Sequence, residues 1–258
     1  MKRLAPALPL LLAAVVLASA VPARAGFRIE EVDPEFPDDL TTYWFQAGKV
    51  RVDGALEGLT MIIDVKGGEG WLFDAGSKRY AGGPLKDLAA ELARADAQAR
   101  EEAAAEGGAP GEEAAQGAPA QPAKPPGVEI KDKGPGERLL GYETRRHAVV
   151  VDGELVEELW IAPKLDIAAE VDPAAFAQAM RQMLGEGNGA GQGYEDGAPY
   201  RALRATGYPL RQILYFIGEK STLEVKSVAV QNFPAADFAV PKGFKRVGYA
   251  ELLLGDEE

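Results

Sequence analysis

The chain has one histidine, His147, in the stretch "HAVVVDGELVEELW" (147–160), which also carries Asp152, Glu154, Glu157 and Glu158. An imidazole beside a carboxylate is the pairing used for proton transfer and for activating a serine. The spacing argues for something simpler. Asp152-Gly153 is a strong signal for a two-residue hairpin turn. Closing the chain there sets Val149 opposite Val156, His147 opposite Glu158 and Arg145 opposite Trp160. Side chains alternate along a strand, so Glu157 and Glu158 point to opposite faces and cannot form a carboxylate dyad. His147–Glu158 and Arg145–Trp160 then read as cross-strand structural pairs, one ionic and one cation–π.

Other chemistry lacks its residues. Ser77, Ser221 and Ser227 are the only serines beyond position 25, and none stands in a G-x-S-x-G elbow. There is no cysteine, so thiolate chemistry and disulfides are excluded, and a transition-metal site lacks its usual ligands. "NGAGQGYEDG" offers Asn188, Glu195 and Asp196 as oxygen ligands for calcium, but not at EF-hand or nonapeptide spacing. "GGEG" at 67–70 lies between two strands, so it reads as a turn and not as a phosphate cradle. The sequence therefore assigns no catalytic residue, no cofactor and no metal.

The elements that must position these residues are framed by two unusual segments. "MKRLAPALPLLLAAVVLASAVPARA" has a basic start, an apolar run and a closing A-x-A, the pattern of a secretory signal peptide over residues 1–25. Losing Lys2, Arg3 and Arg24 takes the net charge from −12 to −15. So acidic a chain is a poor partner for nucleic acid or an anionic membrane, and no later run is long and apolar enough to span a bilayer. The expected location is the periplasm, with the extracellular space as the alternative. From about 97 to 126 the chain is Ala, Glu, Gly, Pro and Gln without aromatic or branched residues. It reads as a disordered insertion within one domain spanning 26–247. The Gly-rich stretch 185–197 reads as a second flexible loop, and 248–258 as an acidic tail.

Between these lie short runs of strand character separated by Gly, Asp or Lys turns, from "FRIEEV" through "TLEVKSVAVQNF". That is the spacing of an antiparallel meander. Two helices interrupt it. One opens at Pro84 and repeats Leu85, Leu88, Ala89 and Leu92 on one face. The other opens with Asp172 as cap and Pro173, and carries Phe176, Ala179, Met180, Met183 and Leu184 as an apolar stripe.

The stretch "YWFQAGKVRVDG…LTMIIDVKGGEGWLFDAGSKRYA" resembles the opening of a bacterial secreted family known as domain of unknown function 4412. The matching positions are Gly48, Lys49, Arg51 and Val52, then Met61, Ile62 and Asp64, then Lys78 and Tyr80. Later, Gly141, Tyr142, Glu158, Trp160 and Pro163 are similar to its G-Y hairpin and E-x-W-x-x-P strand. Phe238, Pro241, Gly243 and Phe244 resemble its closing signature. Arg146-His147 depart from the Cys or Lys often found before an aromatic there. The closing signature and meander are also similar to the periplasmic lipoprotein-sorting carriers. The alternating runs and two helical stripes predict one α+β domain, a strongly curved antiparallel sheet of about ten strands with two helices on its concave face. The resemblance implies an incomplete barrel. It also implies an acyl-binding cavity between sheet and helices, for which the candidate lining is Leu88, Leu92, Phe176, Met180 and Met183.

The leading functional expectation is a non-enzymatic exported binding module that holds an apolar or acyl ligand, a lipid or another apolar small molecule. The alternatives are an envelope scaffold for protein partners and an uncharacterised hydrolase using His147.

Overall fold

A computed structural model describes residues 25–56, 58–105, 126–185, 193–216 and 219–254. The leader, most of the Ala/Glu/Gly/Pro-rich segment and residues 186–192 lie outside the described residues. So the signal-peptide and insertion expectations fall largely outside them.

Among the described residues twelve strands form one open, mixed sheet, with four α-helices. The strands are β1 (Gly26–Asp33), β2 (Phe36–Gln46), β3 (Lys49–Leu56), β4 (Leu59–Asp64), β5 (Glu69–Asp74) and β6 (Arg79–Pro84). They continue with β7 (Val128–Pro135), β8 (Arg145–Val151), β9 (Glu154–Ala162), β10 (Tyr208–Phe216), β11 (Glu219–Gln231) and β12 (Lys245–Arg246). Their spatial order is β12-β6-β5-β4-β3-β2-β1-β11-β10-β9-β8-β7, so β12 and β7 are the two edges and the sheet does not close. The one parallel pair is β12 with β6, which makes the sheet mixed where wholly antiparallel pairing was expected.

The helices are α1 (Leu85–Ala105), α2 (Pro173–Leu184), α3 (Ala198–Arg204) and α4 (Tyr249–Leu254). α2 begins as its sequence predicts: the Asp172 side chain accepts the Ala174 and Ala175 N–H groups, and Pro173 occupies the first turn. α1 runs to Ala105, so the first residues of the stretch expected to be disordered, from about 97, are helical instead. α3 and α4 are additions to the expected pair. The expected acidic tail is a tail only in part. Its residues 249–254 are helical, with Tyr249 and Leu252 buried in the main core and Arg79 paired with Glu251.

One face of the sheet carries the helices. Val50, Val52, Met61, Ile63, Leu72 and Ala81, at alternate positions of neighbouring strands, pack under α1, α2 and α4. On the same face at the far side of the sheet, α3 covers Val149, Leu159 and Ile161. On the opposite face Ile62 and Phe73 are sealed by Phe233 and Phe238 from the chain that follows β11. Gln46 pins that strap: its Nε2 donates to the Phe233 carbonyl at 3.0 Å and its Oε1 accepts the Phe233 N–H at 2.8 Å. Among the described residues no helix is long and apolar enough to cross a membrane.

The β8–β9 hairpin turns at Asp152-Gly153 as expected, but its register differs. Val150 pairs with Leu155 while Val149 pairs with Glu157, so Val156 is a one-residue bulge. Every pair beyond it slips by one. His147 faces Leu159 instead of Glu158, and Arg145 faces Ile161 instead of Trp160. The pairs are made by Arg146, which donates to Glu158 at 2.6 Å and lies 5.0 Å over the Trp160 ring. The expected His147–Glu158 and Arg145–Trp160 contacts are thus corrected by the bulge.

Candidate functional site

Between the sheet and the segment leading into α2 there is a cavity of about 220 Å³. Its floor is Glu31 of β1, Tyr43 and Phe45 of β2, Tyr208 and Gln212 of β10 and Leu223 of β11. Its roof is the turn 166–168, Val171, Pro173 and Phe176, and Arg204 at the end of α3 closes one wall. Two irregularities shape it. Opposite the pair Glu30/Glu31, Lys226 is an extra residue in β11, and Leu210 is an extra residue between Pro209 and Arg211 of β10. Gly207 lets β10 start tightly against β9, since a Cβ there would collide with the Ala162 carbonyl oxygen.

The apolar part of the lining is aromatic. Phe45 meets Phe176 edge-on at 6.2 Å and Tyr208 at 6.3 Å. The polar part is a buried charge cluster. The Tyr208 hydroxyl donates to Glu31 at 3.0 Å. Beside the cavity, the fully buried Glu157 accepts hydroxyl protons from Tyr194 and Tyr200, each at 3.2 Å. Arg204 stands among these groups and feels Tyr200, Glu157, Tyr208 and Glu31. Glu31, Tyr43, Arg204 and Tyr208 are surrounded by protein yet only half-buried by surface, because the cavity reaches them.

Burial sets the electrostatics. Loss of solvent pushes the Glu31 carboxyl up, against the opposing Tyr208 hydrogen bond and Arg204 charge. The same cause raises Glu157 to about 7, with Arg204 and the two tyrosine hydroxyls pulling the other way. Tyr43 and Tyr208 are held protonated by burial and by Glu31. Burial opposes the Arg204 charge, but the surrounding oxygens outweigh it, so the guanidinium stays ionised.

Of the expected cavity residues, only Phe176 lines this space. Leu88, Leu92 and Met183 are buried core, and Met180 is partly buried against it. Met183 is fully buried, and a Cβ on Gly70 would lie 2.6 Å from its sulfur, so no room is left beside it. The correction has a simple cause: an apolar helix stripe looks alike whether a cavity or a sheet lies beneath.

His147 is not brought to a serine. Its Nδ1 is buried without a hydrogen-bond partner, and burial lowers its pKa. Ser221 donates to Asp33 at 3.3 Å and Ser227 to Glu30 at 2.5 Å, while Ser77 accepts from Arg79 at 3.3 Å. Of the calcium candidates, Asp196 is paired with Arg181 at 3.0 Å, and Asn188 lies outside the described residues. Among the described residues no group of three or more acidic or histidine side chains could hold a metal ion.

A second, more open crevice of about 530 Å³ lies on the opposite face between Trp71, Tyr80 and residues 238–244. Of its two lysines, Lys49 is paired with Asp64 at 3.1 Å and Lys242 is exposed.

Sequence reasoning missed Glu31, Tyr43, Glu157, Arg204 and Tyr208. They come from five elements and share no spacing. No family model matches the chain, and no curated protein matches it, so the resemblance noted above rests on its motifs alone.

Proposed function

We propose that the protein is a non-enzymatic exported binding module that holds the apolar or acyl part of a small ligand in the cavity over β1, β2 and β10. The observation that carries this reading is a cavity of about 220 Å³ walled by Phe45, Ile167, Val171, Phe176 and Leu223, with polar groups gathered at one side. Mostly apolar walls with a few convergent polar groups are the general form of a small-molecule site. At ~30 Å³ per molecule of liquid water the space equals about seven waters, the size of a short alkyl chain. In this reading the sheet curves as an incomplete barrel with helices on its concave face, as the resemblance to the sorting carriers implies, and the protein works in the periplasm.

Filling the cavity tests the proposal. Ala168 is exposed and lines the space, so Ala168→Trp leaves the core untouched while occupying the site. The expected result is an unchanged melting temperature and loss of binding of a fluorescent fatty acid that the parent binds. Equal binding by parent and variant would rule this cavity out.

A further inference from the structure

We propose that the cavity selects ligands whose head group is a carboxylate, seated on the Arg204 guanidinium with the tail against Phe45 and Phe176. This rests on the reading that the cavity holds a ligand at all. The acidic groups around the cavity already have partners. Glu31 is bonded by the Tyr208 hydroxyl, Glu157 by Tyr194 and Tyr200, and Asp166 caps the turn that begins at Ile167 through the Ala169 N–H at 3.2 Å. Arg204 differs. Among the described residues its guanidinium makes no hydrogen bond and no ion pair within 4.0 Å, although it lines the cavity and is surrounded by protein.

Five donors that face the cavity with no acceptor from the protein are open to a ligand, because a cation set back from bulk solvent is ordinarily paired and hydrogen-bonded. A carboxylate completes it, since its two oxygens match the fork of the guanidinium. The acidic groups facing Arg204 are Glu31 from β1, Glu157 from β9 and Glu195 from the turn before α3. Burial pushes all three toward their neutral forms. They therefore compete only in part for the guanidinium, whose charge does not titrate away. The Tyr43 and Tyr208 hydroxyls, both protonated, supply neutral polar surface at the same wall. An alkylammonium head would meet Arg204 as a like charge, and an alcohol would leave it without a counter-charge.

The experiment compares three eight-carbon probes, octanoate, octanol and octylamine, by isothermal titration against the intact chain at neutral pH. Octanoate is expected to bind roughly tenfold or more tightly than either of the others, the scale of one charge-assisted hydrogen-bonded pair. Arg204→Gln is expected to remove that preference, bringing octanoate down to the affinity of octanol measured on the same variant. Glu31→Gln, which keeps the shape and removes the competing carboxylate, is expected to tighten octanoate. Octylamine binding as well as or better than octanoate overturns the proposal, and so does octanol matching octanoate, although either leaves the cavity reading in place. Binding of none of the three removes both. The probe series on the parent protein decides the matter even if Arg204→Gln fails to fold.

Discussion

The same face of one sheet is finished in two different ways. Over β3 to β6, under α1, α2 and α4, the contacts are apolar throughout: Val50, Met61, Leu72, Leu88 and Met183 pack without a cavity. Over β1, β2, β9 and β10 the sheet presents Glu31, Tyr43, Glu157 and Tyr208 to Tyr194, Tyr200 and Arg204 from α3 and the turn before it, and a cavity opens beside them. Burying three ionisable groups costs free energy that an apolar filling would not. Stability alone explains the first region and does not explain the second, which is why the functional reading belongs there.

Four substitutions sharpen or break this contrast. The largest effect is expected in the apolar half. Met183 is fully buried and its carbonyl accepts the Tyr249 hydroxyl, so Met183→Glu places an unpaired charge where nothing can answer it. It should cost several kcal/mol and unfold the domain in a urea titration. A folded Met183→Glu would mean that the α2 stripe covers open space after all.

The next effect belongs to the polar half and is a pH dependence. The Glu157 carboxyl is raised from 4.5 to about 7 in the folded state, so the folded protein holds a proton that the unfolded chain releases. Its contribution to stability is therefore complete below about pH 4.5 and is lost as pH rises through about 7. Over that window it should remove a few kcal/mol from the parent, at about 1.4 kcal/mol per pH unit. Glu157→Gln should flatten the slope by one proton, read from urea midpoints across the window. Identical slopes in parent and variant would show that Glu157 is ionised throughout and that the two halves differ less than their residues imply.

The smallest effects concern two neighbours in β8, Arg146 on the far face and His147 on the face that carries α3. Arg146 lies over Trp160 and bonds Glu158, so Arg146→Ala should cost about 1 kcal/mol. His147→Ala should cost less, because the imidazole nitrogen Nδ1 has no partner to lose. The reverse order, measured by thermal unfolding, would contradict the bulged register.

The strand runs were legible because alternation and Gly or Asp turns mark them, and the start of α2 was legible because Asp172-Pro173 writes it directly. Register was not. A bulge at Val156 has no sequence signature, and it moves His147 from Glu158 to Leu159. α3 is seven residues that follow a glycine-rich stretch, too short for periodicity to speak. α4 hides Tyr249 and Leu252 at helical spacing inside an acidic ending. The site was the least legible part. Glu157 looks like one more surface acid in "VEELW", although alternation with Leu159 and Ile161 already sets it on the inward face. Arg204 looks like a helix-end cation until the cavity shows that it faces no carboxylate within bonding reach.

The central claim is that ligand enters beside Phe176 and not beneath Met183. Aromatic and methionine-methyl NMR of the labelled protein, titrated with octanoate, reads both places at once. The account predicts that ring signals of Tyr43, Phe176 and Tyr208 shift with a common saturation curve while the Met183 methyl stays fixed. A shift of the Met183 methyl without those rings, or no shift anywhere, would contradict it.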